Sequence, residues 1–174
     1  MTPYALLADI DRRCRAQAAA LPQPVENLPT WRGVGFMLGG RQYVTEMDNV
    51  SEIIQPPHVT PVPGVRDWVL GVANVRGRLV PVNDLCSMLG VSSRAGRNNQ
   101  RVLVVGRKDF RSGLLVDAVL GMQSFLVSQK MTGIQVPEEL IGFTNSGFVR
   151  DGQIWPEIEL DKLVESPGFL DIAI

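Results

Sequence analysis

The fold of this chain is decided by residues 71–85, which read GVANVRGRLVPVNDL. Apolar residues alternate with small or polar ones on both sides of Gly77, and a Gly at such a place is typical of a tight turn between paired strands. Pro81 is tolerated at the edge of a sheet, and Asp84 is an acid placed where a helix would begin. The stretch therefore predicts a β-hairpin followed by a short helix.

A second copy of this pattern follows later in the chain. Residues 152–160, GQIWPEIEL, match residues 77–85, GRLVPVNDL, through Gly, a polar residue, two apolar residues, Pro, two variable residues, an acid and Leu. A weaker match relates the Asp-Asn-Val of residues 48–50 to the Asp-Ala-Val of residues 117–119. A repeat of this kind indicates that one small structural unit is used twice.

From Trp31 onward the chain carries short strand-like runs bounded by Gly, Pro, Asn or Asp. The first runs form a hairpin that turns at Gly39-Gly40. The later runs are residues 69–75, 79–82, 102–105, 113–119, 141–149 and 153–158. Many short strands at close spacing are typical of small barrels, so we expect a mostly β fold with two of them, at approximately residues 31–97 and 98–165.

The segment before the strands has a helical pattern. A Thr-Pro pair at the start favours helix initiation, and Leu7, Ile10 and Cys14 then recur at helical spacing. We expect an amphipathic helix over residues 1–21, whose apolar stripe packs on a barrel. The alternative is that this stripe docks on a partner.

Two other segments lie outside the strands. Prolines in residues 22–30 predict a stiff, extended linker, because proline cannot carry a helix onward. Residues 166–174 form a C-terminal tail that is apolar enough either to pack into the core or to bind a partner.

The composition argues against several kinds of function. The 174 residues include 17 basic and 18 acidic ones, so no overall field draws the chain to nucleic acid or to an anionic membrane. A nucleic-acid-binding barrel is the alternative, but it needs a basic groove with stacking aromatics, and aromatic residues make up 6% of the chain. No apolar run is long enough to span a membrane and no signal-peptide pattern is present, so we expect a cytoplasmic protein.

Residues that carry catalysis or hold metals are scarce. His58 is the single histidine, and Cys14 and Cys86 are far apart, outside any metal-binding spacing. Without a second His or a Cys cluster no metal site can be assembled, and a Ser or Cys nucleophile would depend on His58 as its base. No glycine-rich phosphate-binding motif is present. We therefore predict no catalytic residues, no metal and no cofactor.

The stretch from Phe36 to Leu89 carries a resemblance to a known family. Its landmarks, besides residues 71–85, are the Gly39-Gly40 turn, Tyr43-Val44, the Val-Ser-Glu-Ile-Ile of residues 50–54 and Val62-Pro63. Residues 113–119, GLLVDAV, add a matching strand. Over approximately residues 31–165 the chain resembles the CheW-like family, adaptors that couple chemoreceptors to a histidine kinase. It looks most like the PilI-type members, which serve twitching motility.

The resemblance implies one CheW-like domain made of two five-stranded β-barrels, SH3-like or OB-like, with no enzymatic activity and no cofactor. It also implies two partners: the regulatory domain of a CheA-like histidine kinase and the signalling tip of a methyl-accepting chemoreceptor. The expected location is the cytoplasm, with recruitment to membrane-associated receptor arrays of a type IV pilus pathway. No nucleic acid and no direct membrane insertion are expected.

The resemblance also indicates which residues bind partners. They are Val50, Glu52, Gly71, Asn74, Arg76 and Val119. An Arg held by a nearby carboxylate loses less side-chain freedom when a partner docks, whereas the alternative for Arg76 is an ordinary solvated turn residue. Val50 and Val119 either belong to the core or line a groove that takes a receptor helix.

Overall fold

A computed structural model of the chain describes residues 2–17, 28–106 and 110–174. The described residues form four α-helices and eleven β-strands. The helices are α1 (Pro3–Gln17), α2 (Leu85–Met88), α3 (Leu160–Glu165) and α4 (Pro167–Leu170). The strands are β1 (Thr30–Leu38), β2 (Arg41–Glu46), β3 (Val50–Ile54), β4 (Val69–Val75), β5 (Arg78–Asp84), β6 (Arg101–Val105), β7 (Ser112–Val116), β8 (Ala118–Leu126), β9 (Lys130–Thr132), β10 (Ser146–Arg150) and β11 (Gln153–Glu157).

The strands form two sheets. A six-stranded sheet has the order β8-β1-β2-β11-β10-β9, and a five-stranded sheet has the order β3-β6-β7-β5-β4. Neighbouring strands are antiparallel except for two parallel pairs, β2 with β11 and β5 with β7. The predicted mostly β fold with an N-terminal helix is confirmed. One sheet has six strands rather than five because the 3-10 turn Val127–Gln129 separates β8 from β9.

The repeated sequence pattern forms two equivalent hairpins, β4–β5 and β10–β11. Each hairpin turns on two successive residues with positive φ: Arg76 at 50° and Gly77 at 80°, then Asp151 at 52° and Gly152 at 74°. This geometry is favoured in hairpins because its twist matches that of the flanking strands. A helix follows each hairpin, α2 in the first case and α3 in the second. The structure therefore confirms the predicted pairing of hairpin and helix.

The two sheets do not coincide with the predicted barrels, residues 31–97 and 98–165. The β1–β2 hairpin comes from the first half but joins strands of the second, because β2 pairs with β11 at Val44 and Glu157. The β6–β7 hairpin comes from the second half but joins strands of the first, because β7 pairs with β5. A local repeat identifies the two halves but carries no signal for such long-range pairs, which is why the predicted barrel boundaries need this correction.

The largest core joins strands of both sheets to three helices. Each side chain buried in it contributes about 1.5–3 kcal/mol of hydrophobic stabilisation before entropy is counted. The buried members are Val34, Phe36, Leu38, Tyr43, Leu85, Cys86, Leu89, Leu103, Val105, Leu114, Val116, Leu140, Ile158, Leu160, Leu163, Val164 and Phe169. Because this core draws on both sheets, we expect residues 30–170 to unfold together.

The six-stranded sheet encloses an aromatic core of its own. Phe125 and Phe148 stack with ring centres 4.8 Å apart, and Trp31 stacks on Phe148 at 4.5 Å. The guanidinium of Arg150 covers the cluster, 4.7 Å from the centre of the Phe125 ring, as a cation–π contact. These rings pack against one another, so they do not offer the stacking platform that a nucleic-acid-binding barrel needs.

Helix α1 presents its apolar side chains to solvent. Leu7 is 65% exposed, Ile10 is 48% exposed and Cys14 is also exposed. The prediction that this stripe packs on a barrel is therefore wrong, because helical spacing reveals an apolar face but not what covers it. The predicted end of the helix and residues 22–27 of the predicted linker lie outside the described residues.

The C-terminal tail is tied to the loop before β4. Phe169 is buried, with its ring centre 5.5 Å from that of Trp68. The Nε of Arg66 donates a hydrogen bond of 2.7 Å to the carbonyl oxygen of Asp171. Packing into the core therefore holds for Phe169, while Leu170 is exposed.

Candidate partner-binding site

An ion pair joins the two edge strands of the five-stranded sheet. Strands β3 and β4 lie at opposite ends of the hydrogen-bonding order, yet the Nε of Arg76, in the turn after β4, lies 2.9 Å from the Oε2 of Glu52 on β3. The sheet therefore curls until its edges meet, as expected for a small barrel. The contact is an ion pair rather than an aligned hydrogen bond. The Arg76 side chain remains 80% exposed, so it is held on one side and open to a partner on the other.

The turn that carries Arg76 is fixed by its neighbours. The Oδ1 of Asn74 accepts a hydrogen bond of 2.8 Å from the backbone N–H of Gly77, an Asx-type closure of the turn. Positive φ is uncommon for a residue other than Gly, and Asn or Asp adopts it more readily than Arg. An arginine at such a position favours a role for its side chain beyond closing the turn.

Leu79 is an exposed residue of this hairpin that sequence reasoning missed. It lies opposite Asn74 across the hairpin, and its side chain is 77% exposed. A signal was available, because Leu79 and Val80 are adjacent and successive strand residues face opposite sides of a sheet. The two side chains therefore face opposite sides of the sheet, and Val80 is the buried one. The equivalent residue of the other hairpin, Ile154, is exposed as well.

Gly71 has a structural role beside this surface. Its φ is 135°, and a Cβ added there would lie 2.1 Å from the carbonyl oxygen of Thr60. The missing side chain lets the loop after β3 pair with β4, where the N–H of Thr60 donates a hydrogen bond of 2.8 Å to the carbonyl of Val72. Gly71 therefore shapes the surface, and its predicted contact with a partner stays a prediction.

Val50 and Val119 occupy equivalent places in the two sheets. Val50 begins β3, which pairs with β6, and Val119 lies near the start of β8, which pairs with β1. Both side chains are half-buried and pack against the largest core. Glu52, Asn74 and Arg76 are thus brought together at one end of the five-stranded barrel, whereas Val119 belongs to the other sheet. A groove-lining role for the two valines stays a prediction.

Asp117, a buried carboxylate between β7 and β8, was not predicted as a site residue. It accepts a 2.8 Å hydrogen bond from the backbone N–H of Gly39, a hydrogen bond from the hydroxyl of Ser93, and a 3.6 Å contact from the thiol of Cys86. Burial, with the Asp117 charge adding to it, raises the pKa of Cys86 to about 12. Asp117 fastens the β1–β2 turn to the chain crossing between the sheets, so its role is structural.

The chemistry around His58 does not assemble a catalytic site. His58 lines an open cavity of about 870 Å³, and the described residues around this cavity include no Ser, Thr, Cys, Asp or Glu that could act with it. Within residues 2–17, 28–106 and 110–174 no group of three or more His, Cys, Asp or Glu is arranged to hold a metal ion. In the same ranges no helix is long and apolar enough to cross a membrane.

Comparison with known proteins identifies the family to which this chain belongs. The CheW-like domain family matches residues 32–168, so the chain belongs to the CheW-like family. The chain is similar to Protein PilI of Pseudomonas aeruginosa, with 44% identity over an alignment 176 residues long. This alignment covers 99% of this chain and 97% of PilI. It is also similar to Chemotaxis protein CheW of Thermotoga maritima, with 30% identity over 133 residues that cover 76% of this chain and 86% of that protein.

The fold agrees with a solved structure. The crystal structure of the scaffolding protein TtCheW from Thermoanaerobacter tengcongensis matches with a TM-score of 0.70 and 24% sequence identity, covering 80% of this chain and 96% of that chain. The predicted CheW-like fold is therefore confirmed. The match to PilI extends over nearly the whole chain, whereas the CheW-like domain begins at residue 32, after α1.

Proposed function

We propose that this protein is a non-enzymatic adaptor that couples methyl-accepting chemoreceptors to a CheA-like histidine kinase, in the chemosensory pathway of type IV pilus twitching motility. The observation that carries this proposal is the 44% identity to PilI over 99% of the chain. Membership of the CheW-like family supports the general role of a coupling module. The adaptor works in the cytoplasm, at membrane-associated receptor arrays.

One docking surface of this adaptor is the end of the five-stranded barrel that carries Asn74, Arg76 and Leu79. The Arg76 guanidinium lies against Glu52, so part of its side-chain entropy is lost before a partner arrives. Leu79 adds an exposed apolar side chain beside the charge. Arg next to an apolar anchor fits a partner surface with a carboxylate at the rim of an apolar pocket.

The contacts of such an adaptor need not be strong individually. A micromolar contact corresponds to about −8 kcal/mol, and repeated linkage within an array raises the overall strength far above that of one contact. Two surfaces are needed, one for the kinase regulatory domain and one for the receptor signalling tip. The surface around Arg76 supplies one of them.

The proposal is tested by co-purification of the protein with a receptor signalling tip and, separately, with the regulatory domain of the kinase. Arg76→Glu should abolish binding to one of these partners and leave binding to the other intact. Arg94→Glu, which reverses an exposed charge on the loop before β6, is the matched control and should bind both partners. Amide NMR spectra establish that each variant is folded.

The double variant Glu52→Arg, Arg76→Glu separates two explanations. It keeps an ion pair but reverses the charge that faces a partner, so it should remain unable to bind if the guanidinium itself makes the contact. Absence of binding to both partners by the unmodified protein overturns the adaptor proposal. Retention on single-stranded DNA that weakens as salt rises would instead favour a nucleic-acid-binding barrel.

A further inference from the structure

The barrel formed by the five-stranded sheet has a cavity at one end. This is the cavity of about 870 Å³ that His58 lines, and it lies where β3 and β7 end and β4 and β6 begin. The turn that carries Arg76 is at the other end of the β4–β5 hairpin. The cavity therefore shares no residue with the candidate partner-binding site.

The apolar core of this barrel forms the floor of the cavity. Val82 and Val102 are buried members of that core, and Leu70 and Leu115 pack against it while remaining only half-buried. A β-bulge at the start of β4 leaves Leu70 without a partner residue across the hairpin. The core thus keeps some apolar surface in contact with water, and a ligand that covered this surface would gain hydrophobic stabilisation.

The rim of the cavity carries positive charge. Arg97 and Arg101 line the cavity, and neither forms an ion pair with a described residue. The described lining residues include no Asp and no Glu. A ligand that brings a carboxylate would therefore complement the charge of the rim.

The loop before β6 holds the guanidinium of Arg101 in place. The Nη1 of Arg101 donates hydrogen bonds to the carbonyl oxygens of Asn98, at 2.9 Å, and Gln100, at 2.7 Å. Its Nε and Nη2 form no hydrogen bond within the described part of the chain. Because the loop already restricts this side chain, it loses less conformational entropy when a carboxylate binds.

We infer that this cavity binds a short, extended peptide of a partner protein in which a Glu or Asp is flanked by apolar residues. The carboxylate of the peptide pairs with Arg101 and Arg97. The flanking apolar side chain covers Leu70 and Leu115. The mouth of a β-barrel is a frequent place for such a combination of an apolar floor with a few polar groups.

Three amide side chains favour a peptide over other anions. Gln55, Asn98 and Gln100 line the cavity, and none of their side-chain amides forms a hydrogen bond with a described residue. A peptide backbone offers donors and acceptors to these amides, whereas the alkyl chain of a fatty acid offers neither. The described lining residues include no Phe, Tyr or Trp on which a nucleobase would stack.

The test is an NMR titration of the full-length protein with the peptide acetyl-Leu-Glu-Leu-amide, followed through backbone amides and arginine Nε–H signals. We expect saturable shifts at Val59, Leu70 and Val102 and at the Nε of Arg101. Acetyl-Leu-Gln-Leu-amide, which lacks the charge, should bind at least about fivefold more weakly, because it cannot form the charge-assisted pair. Acetyl-Gly-Glu-Gly-amide, which lacks the apolar side chains, should produce no saturable shift at Leu70.

Two variants test the assignment to this cavity. Arg97→Gln, at an exposed position, should weaken binding of acetyl-Leu-Glu-Leu-amide about threefold or more. Arg101→Lys keeps the charge but loses the planar fork, so it should weaken binding about fivefold or more. Arg94→Gln removes one charge from the same loop, outside the cavity lining, and should leave the affinity unchanged within about twofold. Backbone amide spectra establish that each variant is folded.

Several results would overturn the inference. They are shifts that do not saturate, equal binding of the Glu and Gln peptides, undiminished binding by both cavity variants, or tighter binding of octanoate than of acetyl-Leu-Glu-Leu-amide. This experiment contains no receptor and no kinase. Its failure would therefore leave the adaptor proposal standing, and loss of co-purification would leave peptide binding measurable.

Discussion

The Nε of Arg76 lies 2.9 Å from the Oε2 of Glu52, although the two residues belong to opposite edges of one sheet. The pair exists only because the five-stranded sheet closes on itself. The candidate docking surface is therefore a product of barrel closure: neither the hairpin that carries Arg76 nor the strand that carries Glu52 forms it alone.

The first prediction concerns the stability of Arg76 variants. Arg76→Ala should lower the free energy of unfolding by about 1–2 kcal/mol, because Arg76 itself is exposed but the Glu52 carboxylate that loses its partner is mostly buried. Chemical denaturation, followed by tryptophan fluorescence, measures this value. A loss of more than about 2 kcal/mol would contradict the prediction and would mean that impaired binding by Arg76 variants reflects unfolding.

The second prediction concerns Gly71. Gly71→Ala should destabilise the protein by about 3 kcal/mol or more, because the new Cβ meets the Thr60 carbonyl and φ is positive. Gly64→Ala is the matched control: its φ is also positive, at 71°, but a Cβ there has nothing within 4 Å. That variant should lose only about 1–2 kcal/mol, the cost of the backbone conformation. Equal losses at the two positions would show that the close approach to Thr60 is unimportant.

The third prediction concerns the two thiols and the stability at high pH. Burial raises the pKa of Cys86 from its ordinary value of 9.0 to about 12, so this thiol stays protonated in the folded protein at pH values where the unfolded chain has released the proton. The contribution of Cys86 to stability is full below pH 9 and falls as the pH rises from 9 toward 12. Burial also raises the pKa of Tyr43, which acts in the same direction.

The measurement compares unfolding free energies from neutral to alkaline pH for the unmodified protein and for Cys86→Ala. The pH-dependent loss should be smaller in the variant. Thiol labelling at neutral pH should modify the exposed Cys14 at once and Cys86 only after unfolding. Rapid labelling of both thiols in the folded protein would disprove the burial of Cys86.

The fourth prediction concerns helix α1. Leu7→Asp should change the free energy of unfolding by less than about 0.5 kcal/mol, because this side chain is exposed. Leu163→Ala, in the largest core, should cost about 2–5 kcal/mol in the same assay. A loss for Leu7→Asp that approached the loss for Leu163→Ala would show that α1 packs on the rest of the protein in solution.

Local patterns predicted much of this fold. The Gly at position 77 and its counterpart at position 152 indicated two hairpins, and an acid after each hairpin indicated a short helix. These signals depend on backbone preferences of neighbouring residues, which a sequence displays directly. The exchange of hairpins between the halves depends instead on the pairing of Val44 with Glu157 and of Val82 with Gly113, and no local pattern encodes it.

The candidate partner-binding site could also be predicted only in part from the sequence. An Arg held by a carboxylate was expected at position 76. The sequence could not show that this carboxylate is Glu52, because the two residues meet only when the five-stranded sheet closes into a barrel. The partner-binding roles of these residues stay predictions.

The exchanged hairpins have a mechanical consequence for any assembly built on this module. The chain passes from one barrel to the other at the three residues of the turn Met47–Asn49 and again at Asp117, between β7 and β8. Because the largest core packs against both sheets, the two barrels cannot move independently about these crossings. A force that a docked protein exerts on one barrel is therefore transmitted to the other barrel, and the module moves as one rigid body rather than as two independently moving domains.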